Sequence, residues 1–257
     1  KSGRLISSKR IRMGQYNGTT LRKSRNVTRD LPRKSYKLLC WVLTSPKDLT
    51  EITVHIRNTW GKHCDVTLYM SSVTNASFPT IGLGVPEGKR KLAVKSRAAW
   101  MYVFKYFLNK ADYFLKADSD TFVVIHNLRV FLENHDPAQP EFFGHILYQN
   151  GNKNKLFMSG GSGIVVSKEA LRRLVQIGMQ TIKPDCFPSG WNEDLKASTC
   201  LLKSGCRPVN GSDSLGRDRF LMYPPHSEEP ISFHRVGPDM MYDFYYVFYK
   251  LQRGKTS

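Results

Sequence analysis

Apolar residues follow two different spacing patterns along this chain. Short uninterrupted apolar runs are typical of strands buried on both faces of a sheet, and apolar residues that recur every three or four positions are typical of amphipathic helices. The predicted strands lie at residues 38–44, 65–70, 113–115, 121–125, 142–143, 164–166 and 231–234. The predicted helices lie at residues 48–60, 87–108, 127–134, from 168 onward, 193–203 and 238–251. Because the two types alternate over the first half of the chain, the pattern predicts an α/β fold with a mostly parallel sheet flanked by helices.

Turn-forming and capping residues mark several of these boundaries. Ser45 and Pro46 end the first strand, and Asp48 is placed to cap the helix that follows. Ser167 is placed to cap the helix that begins at residue 168. Residues 207–230 are polar and extended, so we predict a loop there.

Positive charge is concentrated at the start of the chain. The whole sequence of 257 residues has a formal net charge of +18, which by itself favours a nucleic-acid-binding protein. Residues 1–37, however, contain twelve Lys or Arg against one acid, and their aromatic residues are only Tyr16 and Tyr36. Nucleic-acid surfaces interleave aromatic with basic residues, so we expect no nucleic-acid partner. We predict a basic flexible stem over residues 1–36 and a folded domain over residues 37–257.

Cysteines and glycosylation sequons indicate an oxidising compartment. Five cysteines occur without a C-x-x-C pair or zinc-binding spacing. In a luminal protein we expect two disulfides and one spare thiol, which is either buried or bridges two chains. The Asn-x-Ser/Thr pattern that accepts N-linked glycans occurs at Asn17, Asn26, Asn75 and Asn210. The chain begins with Lys, and we expect a signal or anchor to precede it in the precursor.

Two carboxylates one residue apart follow a predicted buried strand. Asp118 and Asp120 flank Ser119 directly after the strand at 113–115. In open α/β sheets, ligands bind outside the carboxyl ends of strands, and carboxylate oxygens are the ligands that Mg²⁺ and Mn²⁺ prefer. The apolar segments on both sides favour a metal site in a crevice, the alternative being two solvated acids in a turn.

Three further features each have a structural and a functional interpretation. Gly160 and Gly161 lie in a glycine-rich stretch that lacks the Lys-Ser/Thr ending of a phosphate-binding loop; they allow either a positive φ or a close approach of the backbone to a sugar or phosphate. Asp194 opens a predicted helix, where an acid either complements the helix dipole or acts as a general base. His234 ends a predicted strand and is either a core residue or a metal ligand.

Taken together, these pieces resemble the β1,3-glycosyltransferases, and within them the core 1 galactosyltransferases that extend O-linked GalNAc. The resemblance covers about residues 37–250. Its motifs are CWVLT at 40–44, IRNTWG at 56–61, EG at 87–88 with Lys95, ADYFLKADSDT at 111–121, MSGGSG at 158–163, SKEAL at 167–171, EDL at 193–195 and SFH at 232–234. The resemblance implies the GT-A nucleotide-sugar transferase fold, with a Rossmann-like sheet in a catalytic domain over residues 37–257.

The resemblance also implies a reaction and its partners. Galactose would pass from UDP-galactose to the 3-hydroxyl of GalNAc-α-Ser/Thr on a glycoprotein, with Mn²⁺ as cofactor and inversion at the anomeric carbon. The enzyme would be a type II single-pass membrane protein of the Golgi lumen whose anchor precedes this chain, and the family allows a homodimer.

Individual roles follow from the same resemblance. Asp118, Asp120 and His234 match the metal ligands, and Asp194 matches the general base. Gly160 and Gly161 match a loop near donor and acceptor. The matching donor-binding positions are Thr44, Pro46, Arg57, Lys95 and Asp118. The matching disulfides are Cys40–Cys64 and Cys186–Cys200, which leaves Cys206 unmatched.

The sequence departs from the core 1 pattern in two places. Ser119 replaces the middle residue of the usual Asp-Asp-Asp motif, which leaves both outer acids in place. Residues 212–230 replace a longer segment that is rich in Trp and Tyr and contributes to acceptor binding in core 1 enzymes. A fringe-like transferase with another donor or acceptor is therefore one alternative. A weakly active or chaperone-like paralogue is another, although such a protein is expected to lose the metal motif.

Overall fold

The computed structural model describes residues 36–182, 186, 187, 190, 192–221 and 227–251. Most of the predicted stem, with Asn17 and Asn26, lies outside these residues. In the described part of the chain, the helices are too short or too polar to cross a membrane.

A seven-stranded sheet forms the centre of the domain. Its strand order is β10-β6-β9-β4-β1-β2-β3, and β9 alone runs antiparallel to its neighbours. Strands β11, β12 and β5 form a second sheet, and β7 and β8 form a hairpin. The strands are β1 Leu38–Leu43, β2 Val66–Ser71, β3 Thr80–Gly82, β4 Tyr113–Asp118, β5 Phe122–Val123, β6 Glu141–Gly144, β7 Ile146–Tyr148, β8 Leu156–Met158, β9 Ile164–Ser167, β10 Arg207–Asn210, β11 Phe220–Leu221 and β12 Ser232–Phe233.

Within the described residues, six α-helices flank these sheets. They are α1 Val54–Asn58, α2 Leu92–Phe107, α3 Ile125–Leu132, α4 Lys168–Arg173, α5 Glu193–Lys203 and α6 Pro238–Tyr245. Wider π-helical turns precede α1 at Leu49–Thr53 and extend α4 and α6 at Leu174–Ile182 and Tyr246–Lys250; short 3₁₀ turns lie at Trp60–His63, Lys89–Lys91 and Gln149–Gly151. The predicted cap of α4 is confirmed, since the Ser167 hydroxyl accepts the backbone N–H of Ala170 at 3.0 Å.

Both faces of the central sheet are packed against hydrophobic core, which explains why its strands consist of apolar runs in the sequence. Every residue of β1 is buried. Leu39 and Trp41 belong to the core on one face, and Leu38 and Cys40 to the core on the other. Trp41 meets Trp100 of α2 edge-to-face, with ring centroids 4.8 Å apart. The predicted α/β fold is thus confirmed, with a sheet that is mixed rather than wholly parallel.

Three predictions of local structure differ from what is observed. The segment 207–230 contains β10 and β11, strands of four and two residues that are stabilised by pairing with β6 and β12. The helix expected from residue 87 begins at Leu92, since Gly88 has φ 117° and interrupts the helical path. Asp48 makes no capping bond with its side chain and instead accepts the Ser45 hydroxyl at 2.6 Å.

The structure pairs the cysteines that the family resemblance implies. Cys40 is joined to Cys64, and Cys186 to Cys200. Cys206 is a buried free thiol, and burial raises its pKa to about 12. Because the thiolate is the reactive form, this thiol is expected to be inert at neutral pH.

The two sequons within the described residues lie on the surface. Asn75 and Asn210 are exposed, and their side-chain oxygens accept the backbone N–H groups of Ser77 and Ser212, both at 2.9 Å. Glycosylation at these positions remains a prediction.

Candidate functional site

The carboxyl ends of β1 and β4 lie side by side and open two adjoining clefts. The two strands are parallel and pair Leu43 with Asp118, so the residues that follow each strand emerge at one edge of the sheet. The narrower cleft, of about 540 Å³, lies over the end of β1. The wider cleft, of about 860 Å³, extends from there to the β7–β8 hairpin. Asp118 and Asp120 line both clefts and mark their boundary.

Asp118 and Asp120 form one cluster with His234, a residue distant from them in sequence. One ligand atom from each lies within 4.8 Å of the other two, and His234 Nε2 lies 3.6 Å from Asp120 Oδ2. His234 lies close to the two acids because β12, which precedes His234, pairs antiparallel with β5, which follows Asp120 in the chain. The backbone N–H of Val236 also donates to the Asp120 carbonyl at 2.9 Å.

The donor atoms of this cluster fit a divalent cation. Two carboxylates and one imidazole within a few ångströms are a ligand set suited to Mn²⁺ and related ions. Burial raises the pKa of the Asp120 carboxyl, with His234 lowering it and Asp118 raising it. A bound cation would favour the ionised form of both acids. Ser119 lines the narrower cleft between them.

A buried lysine joins helix α5 to the candidate metal ligands Asp118, Asp120 and His234, which are called the metal cluster below. Lys116, in β4, is fully buried, and its Nζ lies 2.7 Å from Asp118 Oδ1 and 2.6 Å from Glu193 Oε1. Burial by itself would lower the Lys116 pKa, but the carboxylates of Asp118 and Glu193 raise it above its ordinary value. The other Glu193 oxygen accepts the Ser96 hydroxyl of α2 at 2.9 Å. The only sequence signal for Lys116 is a cation within an otherwise apolar strand.

Gly160 and Gly161 are required by close packing. A Cβ at Gly160 would lie 2.6 Å from Glu193 Oε1 and 2.9 Å from Lys116 Nζ, and one at Gly161 would overlap the His234 ring. Neither glycine has a positive φ, unlike Gly163 with φ 85°. Any side chain at 160 would therefore displace Glu193 or Lys116, and any side chain at 161 would displace His234.

The two acids at the start of α5 point in different directions. Glu193 is buried against Lys116 and Ser96, whereas Asp194 is half-buried and contacts the backbone of Gly160. Both residues line the wider cleft, and Glu193 also lines the narrower one. Asp194 Oδ2 accepts the Gly160 N–H at 3.2 Å, and Oδ1 accepts the Leu195 N–H at 2.8 Å. Asp194 is thus held in place beside the metal cluster while remaining open to a molecule in the cleft.

Apart from Asp118, which lines both clefts, the predicted donor-binding residues divide into two pairs. Thr44 and Lys95 line the narrower cleft, where Lys95 Nζ donates to the Thr44 carbonyl and lies 2.6 Å from the Glu87 carboxylate. Pro46 and Arg57 are exposed and are not among the residues that line this cleft. The Arg57 guanidinium instead lies 5.2 Å from the centre of the Phe78 ring. Their role in donor binding remains a prediction.

Replacing Lys116 with Met is expected to destabilise the protein by about 3–5 kcal/mol, because two buried carboxylates lose their shared cation. Chemical denaturation measures this loss. Lys105→Met, at an exposed position of α2, is the matched control and should change stability by less than about 0.5 kcal/mol. Equal stability of both variants would contradict the assignment of Lys116 to a buried ion network.

The chain is similar to a family model and to several known proteins. The Fringe-like family model matches residues 43–203. Glycoprotein-N-acetylgalactosamine 3-beta-galactosyltransferase 1 of Xenopus laevis is 34% identical over 90% of this chain and 71% of its own length. The beta-1,3-glucosyltransferase of Mus musculus is 27% identical over 80% of this chain, which spans only 42% of that protein. The solved galactosyltransferase LgtC, in complex with donor and acceptor sugar analogs, is 15% identical with a TM-score of 0.48, covering 85% of this chain and 96% of that one.

Proposed function

The chain belongs to the Fringe-like family and is a β1,3-glycosyltransferase of GT-A type, and from that premise we propose that it transfers galactose from UDP-galactose to the 3-hydroxyl of GalNAc-α-Ser/Thr. The reaction would depend on Mn²⁺ and invert the anomeric carbon. The observation that carries the proposal is the placement of Asp194 and the Asp118–Asp120–His234 cluster on the walls of one cleft. The name of the frog relative supports this donor and acceptor.

The two clefts would divide the substrates between them. The narrower cleft would hold the nucleoside part of the donor, with Thr44 and Lys95 on its wall. The diphosphate would lie at the shared boundary formed by Asp118 and Asp120. The sugar would then project into the wider cleft toward Asp194, where the acceptor also enters.

Asp194 would act as the general base of the transfer. Its carboxylate takes the proton of the acceptor 3-hydroxyl as that oxygen forms a bond to the anomeric carbon. The bond between the anomeric carbon and the phosphate oxygen breaks, and its electron pair leaves with UDP. The N–H groups of Gly160 and Leu195 hold the carboxylate in position throughout.

Asp118, Asp120 and His234 would hold the metal. When bound, the ion neutralises charge on the diphosphate and so makes UDP a better leaving group. Lys116 keeps the Asp118 side chain fixed, and its contact with Glu193 keeps α5, and with it Asp194, at a set distance from the cluster.

A related transfer with a different sugar is the second candidate. The family model is the Fringe-like one, and a mouse beta-1,3-glucosyltransferase is among the relatives. The chain also lacks the longer segment, rich in Trp and Tyr, that contributes to acceptor binding in core 1 enzymes. The chaperone-like alternative is disfavoured by the persistence of all four residues of the metal cluster and the base.

We also propose a Golgi location with an N-terminal anchor. The two disulfides and the exposed sequons at Asn75 and Asn210 are properties of a luminal protein. Expression of the natural full-length protein with a tag at either end, followed by protease protection of isolated Golgi vesicles, tests both location and orientation.

A transfer assay tests the function. The purified protein is incubated with radiolabelled UDP-galactose and a GalNAc-α-Thr peptide, with Mn²⁺ or with EDTA. We expect a β1,3-linked product only with Mn²⁺. Parallel reactions with UDP-glucose and UDP-N-acetylglucosamine test the second candidate, and turnover of either in preference to UDP-galactose would overturn the proposed donor.

A further inference from the structure

An exposed arginine stands beside the metal cluster in an unusual backbone conformation. Arg235 follows His234 directly and has φ 61°, in the left-handed region that residues with a side chain rarely occupy. The backbone is fixed on both sides of it, since His234 N–H donates to the Leu221 carbonyl at 3.1 Å and Val236 N–H to the Asp120 carbonyl at 2.9 Å. Strain of this kind persists where the surrounding structure imposes it, and it clusters at functional sites.

The conformation places a cation on the wall of the wider cleft. Among the described residues that line it, Arg235 and Lys89 are the two with cationic side chains, apart from His234. Within the described part of the chain, Arg235 has neither a hydrogen bond nor an ion pair from its side chain. Its guanidinium is thus available to an anion that enters the cleft, and guanidinium pairs with phosphate oxygens in a bidentate geometry.

We propose that Arg235 binds the sugar-linked phosphate of the donor and stabilises it as UDP leaves. The inference rests on the proposed function, which places the diphosphate at Asp118 and Asp120. Arg235 adjoins their partner His234 and faces the wider cleft, where the sugar would lie, and not the narrower cleft of the nucleoside. It therefore lies on the side of the phosphate from which the glycosidic bond breaks. The negative charge that develops there is the charge that a guanidinium would compensate.

Binding of UDP and UMP in the presence of Mn²⁺ tests the proposal, because UMP lacks the phosphate in question. Calorimetry should show that Arg235→Ala weakens UDP binding about 10- to 100-fold and leaves UMP binding within about twofold of the wild type. Arg235→Lys should recover part of the loss. Lys105→Ala, which removes one exposed positive charge away from both clefts, controls for net charge and should change neither affinity.

Arg235→Gly separates function from folding. Glycine accepts a positive φ without strain, so this variant should melt within about 2 °C of the wild type while binding UDP as weakly as Arg235→Ala. Unchanged UDP affinity in both variants would overturn the proposal, and so would a rise confined to the acceptor KM, which would assign Arg235 to an acidic group on the acceptor. Failure of the wild-type protein to bind UDP would instead refute the proposed function.

Discussion

Asp194→Asn is expected to lower kcat by a factor of about 10²–10⁴, the contribution of a positioned general base. An amide cannot take the proton of the acceptor hydroxyl. Asp194 accepts the N–H groups of Gly160 and Leu195 with different oxygens, so the single amide oxygen of Asn can keep one of these two bonds. The backbone at the start of α5 should therefore stay close to its present position. Steady-state kinetics with the GalNAc-α-Thr peptide measures the loss, and calorimetry with UDP and Mn²⁺ should give an affinity close to that of the wild type.

The control for this variant is Asp243→Asn. Asp243 is an exposed acid of α6 that does not line either cleft, so its neutralisation should leave kcat unchanged. Wild-type turnover of Asp194→Asn would show that the base lies elsewhere. Loss of UDP affinity together with kcat would show that Asp194 supports the donor site and is not specific to proton transfer.

Asp120→Asn is expected to remove Mn²⁺-dependent binding of UDP and, with it, transfer. The substitution neutralises one of two carboxylates in a three-residue ligand set, and an amide oxygen is a weaker ligand than a carboxylate. We expect UDP affinity with Mn²⁺ to fall at least 100-fold, to the value that the wild type shows in EDTA. The metal-free protein should be no less stable, because burial and Asp118 already disfavour the charge of Asp120 and raise its pKa.

Asp48→Asn is the matched control for the metal prediction. Asp48 lines the same narrower cleft but bonds to the Ser45 hydroxyl and is not a member of the metal cluster. Its substitution should change UDP affinity much less and should preserve the difference between Mn²⁺ and EDTA. If Asp120→Asn binds UDP with Mn²⁺ as tightly as the wild type does, the metal assignment is wrong.

Buried contacts connect the Asp118–Asp120–His234 cluster to helix α5, which carries Asp194. Lys116 contacts Asp118 on one side and Glu193 on the other, and Gly160 lies against both Glu193 and Asp194. A displacement of Asp118 would therefore be transmitted through Lys116 and Glu193 to α5. The position of α5 relative to the cluster is therefore fixed by the buried contacts of Lys116.

Much of the local structure could be predicted from the sequence. The apolar runs located β1 and β2 within one residue and the start of β4, although β4 ends three residues later than predicted, and the cap at Ser167 was correct. Burial on two faces selects apolar residues and helix N–H groups select a capping side chain, so both features can be recognised in the sequence. The hairpin of β7 and β8 and the strands in residues 207–230 were missed. Each of these strands has only two to four residues, which is too short for a strand pattern to be recognised, and they form strands because partners are available.

What the sequence determined by itself is the chemistry at the ends of elements: two acids after a buried strand and an acid at the start of a helix. These follow from spacing along the chain, which is local. The tertiary structure alone decided which of these groups meet. It brought His234 close to Asp120, and it buried Lys116 between the carboxylates of Asp118 and Glu193 while leaving Asp194 half-buried. It also showed that Gly160 and Gly161 are required by close packing. Such contacts join segments far apart in the chain, and the packing of the sheets and helices sets their distances.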